Sequence, residues 1–184
     1  MKNLVIYLNI IALLFALPLW ADQPRSSDLH IWAENDNVYV LHSHKAIAWT
    51  VETSEIKIVT KATGEEVFSA DTTPFTKLVS VENGRYFAGL SDLQAGSLSH
   101  GYNFALFTPD GEFLSKVFVS RDAGYCEKVR QSVSQYLGWF AREPRIKLVR
   151  SEGKVSKIIV QPYYHDSKPC ELPIGVHIIH LEKE

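Results

Sequence analysis

Of the 184 residues only two are cysteine and one is methionine. That is too few for a cysteine-rich zinc module or a small scaffold held by several bridges. Beyond residue 20 no apolar stretch approaches the roughly 20 residues that a membrane-spanning helix needs. Charge of one sign is missing too: 19 basic and 21 acidic side chains leave a net of −2, which argues against a nucleic-acid partner. The chain has no phosphate loop, dinucleotide fingerprint, zinc signature, Gly-x-Ser-x-Gly elbow or paired-carboxylate motif. It also lacks an Asn-x-Ser/Thr sequon, which points mildly to a bacterial periplasm. These absences move weight from catalysis toward binding. What remains is ordinary globular composition, 46% hydrophobic, 22% charged and 11% aromatic, in a length suited to one domain.

The first 21 residues read as a secretory signal peptide. Lys2 supplies a positive start, residues 4–17 are apolar apart from Asn9, Pro18 stops a helix, and Ala21 offers a small residue for cleavage before Asp22. The exported product, residues 22–184, is expected to be soluble and periplasmic or secreted, without a membrane attachment. Export also decides how the cysteines read. An even count in an oxidising compartment favours a disulfide between Cys126 and Cys170 over a nucleophilic thiol. Closing that loop contributes roughly 4 kcal/mol in the chain-entropy model.

From Leu29 onward short β-rich runs alternate with turn chemistry at spacings of 8–12 residues, which predicts an all-β domain of antiparallel hairpins. Asn83-Gly84 is the strongest hairpin signal. His42, Ser43, His44 and Lys45 read as a turn between two strands. One stretch departs from this pattern. Val129, Val133, Tyr136, Leu137 and Phe140 follow a 3.6-residue period, so residues 127–140 favour one short helix over a strand.

A weak repeat runs through the turns. Residues 58–67, 105–114 and 147–155 align on Gly64, Gly111 and Gly153, which are 47 and 42 residues apart. With residues 83–90 ahead of the second copy, this pattern resembles β-propeller blade repeats. At roughly 45 residues per blade the chain falls short of the four that usually close a ring, so the resemblance implies an incomplete propeller or an open sandwich. Open sheet edges in such a fold are available to a partner.

The segment from Asp92 to Gly101 is long for a hairpin connection. Its Gln94, Gly96, Ser97, Leu98, Ser99 and His100 form the expected partner-binding loop, with no catalytic or metal-ligating role assigned. The histidines are expected to be solvated or structurally hydrogen-bonded, and no cofactor is implied. Charge is uneven along the chain: residues 22–113 carry −7 and residues 114–184 carry +4. The densest basic group is Arg142, Arg145, Lys147, Arg150, Lys154 and Lys157. It reads first as a solvated sheet face and second as a surface for an acidic partner.

In size, export and β content the chain is similar to periplasmic immunity proteins of secreted bacterial effectors. That resemblance implies an inhibitor that blocks the active site of a cell-wall-degrading enzyme or toxin through a surface loop. Two rivals stand beside it. One is a periplasmic hydrolase whose histidine and acid meet only on folding. The other is a ligand-sensing envelope domain with Trp32, Trp49 and Trp139 lining an apolar pocket.

Overall fold

The structure, a computed structural model, describes residues 29–47, 50–93, 100–131 and 137–178. The expected signal peptide lies outside them. Four strands form a meander: β1 (Leu29–Glu34), β2 (Val38–Ile47), β3 (Thr50–Thr60) and β4 (Glu66–Asp71). A second meander follows, with β5 (Lys77–Val81), β6 (Tyr86–Leu90), β7 (Phe104–Phe107) and β8 (Phe113–Val117). A two-residue ribbon of β9 (Arg130–Gln131) and β10 (Leu137–Gly138) leads to a third sheet. That sheet consists of β11 (Ile146–Ser151), β12 (Lys154–Val160) and β13 (Cys170–Pro173). The last described strand, β14 (Gly175–His177), returns to run parallel to β8 at one edge of the second sheet. The fold is all-β, and none of its sheets closes into a barrel.

The second sheet is central because its sequence is apolar on both faces. In Phe87-Ala88-Gly89-Leu90 and Phe104-Ala105-Leu106-Phe107 every residue is buried. Alternation along a strand sends successive side chains to opposite faces. Phe87, Ala105 and Phe107 accordingly meet Val40, Ile56 and Ile58 of the first sheet. Ala88, Leu90, Phe104 and Leu106 meet Leu148, Ile158, Val160 and Leu172 of the third. Each fully buried phenylalanine or leucine contributes roughly 1.5–3 kcal/mol. The result is three stacked layers with two cores.

Two glycines let the first and central sheets approach. A Cβ on Gly89 would lie 2.6 Å from the Phe75 ring, so only glycine seats that ring. Gly84, at φ +80°, sits against Asn35, whose Nδ2 donates to the Gly84 carbonyl at 2.8 Å. The Asn35 side-chain oxygen accepts from the Asn37 and Val38 amides, each at 2.8 Å. One asparagine therefore shapes the β1–β2 turn and clamps it to the β5–β6 turn.

Two local expectations are corrected. His42 to Lys45 do not form a turn; β2 runs unbroken through them, because no glycine or proline interrupts the ladder and both histidines find space on the inner face. Of the segment expected to be helical, residues 132–136 lie outside the described residues, and the flanking residues pair as strands, Leu137 opposite Gln131 and Gly138 opposite Arg130. No helix occurs among the described residues. Leu137 and Phe140 serve the core from an extended chain, which overrides the helical spacing. The repeat glycines all fall in hairpin turns. Gly64 and Gly111 each join the third and fourth strands of a meander, whereas Gly153 joins the first and second of its sheet.

The expected disulfide is present. Cys126 and Cys170 are bonded with Cα atoms 4.3 Å apart, tying the chain after β8 to the start of β13. Both cysteines lie in the core between the central and third sheets, where Glu171 N–H also donates to the Tyr125 carbonyl at 2.8 Å.

Candidate binding surfaces

Of the expected loop, Gln94, Gly96, Ser97, Leu98 and Ser99 lie outside the described residues, while His100 is exposed with its ring 6.2 Å from that of Tyr102. The base of the loop is firmly built. Ser91 N–H donates to the Asn103 carbonyl at 2.8 Å, and Trp139 Nε1–H donates to the Ser91 carbonyl at 2.8 Å. Buried Asn103 satisfies both ends of its amide on the Val119 backbone, at 2.8 and 2.7 Å. Asp92 is largely sealed from water, and that burial raises its carboxyl above the usual range.

Of the three tryptophans expected to line a pocket, Trp139 is core and Trp49 lies outside the described residues. Trp32 is the outlier, with 60% of its surface exposed. It projects from the outer face of the first sheet, across from Leu41, with Tyr39 edge-on at 6.5 Å between ring centroids. Lys61 lies 4.7 Å above the Tyr39 ring and pairs with Glu34. The outer face of this one-sided sheet thus carries an aromatic and aliphatic patch framed by charge.

Trp32 also borders two depressions. The larger, about 540 Å³, is lined by residues 32–34 of β1, 77–80 of β5 and 143–145 ahead of β11. Its lining is apolar at Ala33, Leu78 and Val79, while Lys77, Glu143 and Arg145 supply charge. None of these three joins an ion pair among the described residues. Three segments far apart in sequence meet here, which no local motif could announce. The exposure of a tryptophan was the one feature with a sequence signal, since it alternates out of the Ile31 and Ala33 face.

The smaller depression, about 200 Å³, is lined by Ile31, Trp32, Leu41, His42, Ser43 and Lys57. His42 is the perturbed histidine that a hydrolase reading would want. Its Nε2, however, accepts the Phe75 N–H at 2.9 Å, so that lone pair is already committed. Burial, reinforced by neighbouring His44, lowers its pKa to about 4. No carboxylate joins it in the lining. His42 is therefore a structural pin between β2 and the β4–β5 connection. Behind it, buried Tyr102 has its hydroxyl pushed up to about 12 by the same exclusion of water.

His177 Nε2 lies 3.2 Å from the Ile174 carbonyl, and His165 is exposed. Among the described residues no group of three histidine, cysteine or acidic side chains converges as a metal site. Two members of the basic group are spoken for. Arg150 forms a two-pronged pair with Glu82, and Lys157 pairs with Glu171 at 2.6 Å. The Arg150 guanidinium holds the Glu82 carboxyl below the usual range. Arg142, Arg145, Lys147 and Lys154 remain exposed and outside any ion pair among the described residues.

No helix among the described residues is long and apolar enough to cross a membrane, and the disulfide suits an extracellular or periplasmic setting. No protein-family model, no curated protein and no solved structure matches this chain.

Proposed function

We propose that this chain is an exported binding protein whose Trp32 face and adjoining groove hold another secreted protein. In its concrete form the reading is an inhibitor or immunity protein that blocks a cell-wall-degrading enzyme or toxin. The observation that supports it most is the exposure of Trp32 beside Tyr39 and Leu41, continuous with a groove. Exposed tryptophan and tyrosine are the residue types that carry most binding energy at protein interfaces. The segment 94–99 is a second contact on this reading. The three stacked sheets are then blades of an open, incomplete propeller, whose open side receives the partner.

The test is native capture from the source cell, followed by affinity and inhibition measurements on the captured enzyme. Trp32→Ala is expected to weaken binding by about 30-fold or more while leaving the melting temperature unchanged, as truncation of a hot-spot anchor does. A captured enzyme that is inhibited equally by both forms would remove Trp32 from the function.

A further inference from the structure

We infer that the groove beside Trp32 docks an extended strand of the partner protein, which pairs its backbone with β5; this deepens the binding role proposed above and rests on it. Four consecutive residues of β5 and three of β1 face the groove, although their side chains alternate in direction. Consecutive lining means that strand edges, rather than sheet faces, form the walls. Among the described residues each wall is an end strand: β1 pairs only with β2 and β5 only with β6, and the two strands pack against each other without hydrogen-bonding. An end strand presents unpaired N–H and C=O groups to whatever lies alongside.

These two edges carry fewer obstacles to pairing than the others do. β4 ends the first sheet with Glu66 and Asp71 and a register break against β3. β11 follows Pro144 and breaks register with β12, β13 is short and ends in Pro173, and β14 has three residues. Charge, proline, bulges and short length are the devices that block unwanted pairing. The registers β1–β2 and β5–β6 show no break and neither strand contains proline; charge is confined to Glu34 at the end of β1 and Lys77 at the start of β5. The central sheet already accepts a strand from elsewhere in the chain at its far edge, where β14 joins β8.

Charge completes the description of the occupant. Glu34 is engaged by Lys61, which leaves Lys77 and Arg145 against the single carboxylate of Glu143. An extended segment with alternating apolar residues and an acidic side chain near Lys77 and Arg145 fits this surface.

The experiment uses the full exported chain with its disulfide intact and a displayed library of random heptapeptides as the probe. Enriched peptides are expected to carry apolar residues at every second position and an aspartate or glutamate. Binding should slow hydrogen exchange at amides within residues 77–80. N-methylating alternate peptide amides should weaken it about a hundredfold, because each lost backbone bond carries a modest but additive share. Lys77→Glu together with Arg145→Glu should weaken the acidic peptides further. Absence of enrichment, no protection at residues 77–80, or indifference to N-methylation would each overturn the inference. A natural partner lost on Trp32→Ala, with no strand-like peptide enriched, would sink the docked strand and leave the binding role standing. Peptides seated on β5 with no Trp32-dependent natural partner would show the reverse.

Discussion

The central and first sheets are built from the same kind of meander but use their residues in opposite ways. β6 and β7 are apolar at every position and covered on both sides. β4 is exposed or half-exposed throughout, and β1 and β2 alternate between core and solvent. The difference teaches where freedom lies. A strand between two layers has no face on which to present a functional group, so the central sheet is scaffold. The first sheet buries one face and keeps the other for Trp32, Tyr39 and Leu41. The groove arises where the two meet, because the end strands there, β1 and β5, hydrogen-bond to no further strand among the described residues.

The sharpest way to break this comparison is to empty one position of the central sheet. Phe104→Ala, facing Trp139 in T-shaped contact at 6.2 Å, should cost about 3–5 kcal/mol in chemical denaturation, as large-to-small core changes do.

Acid probes the join between the two sheets. His42 has a pKa of about 4 when folded, below the 6.5 of an open chain, so between those values the unfolded chain binds more protons. Stability is therefore full above pH 6.5 and falls as pH drops toward 4, by up to about 3 kcal/mol. Denaturation curves across that window should show the loss, and His42→Gln should flatten this part of the profile. A profile unchanged by the substitution would place the acid sensitivity elsewhere.

The smallest effect belongs to the outer face. Tyr39→Ala removes an exposed ring and its contact with Lys61, and should change stability by less than about 1 kcal/mol. A cost like that of Phe104→Ala would mean that the outer face is itself packed.

Much of the layering could be read from residue order. Asn83-Gly84 and the other turns marked hairpins, and two cysteines in a chain read as exported indicated the bridge. His42 to Lys45 misled because four polar residues imitate a turn, and only the inward space beside Phe75 makes them a strand. At the described end of residues 127–140, Leu137 and Phe140 reach the core from an extended chain, a spacing that a helix would also have produced. The groove was beyond reach for a different reason. Residues 32–34, 77–80 and 143–145 share no local pattern and meet only through sheet stacking.

The claim on which the groove account depends is that the β5 edge is open. Residue-resolved hydrogen exchange on the free, disulfide-bonded chain tests it without a partner. The account predicts that β6 and β7 amides exchange only through global unfolding, while alternate amides within residues 77–80 exchange almost as fast as an unprotected chain. Protection throughout β5 equal to that of β6 would mean that the edge is already covered, and would contradict the account.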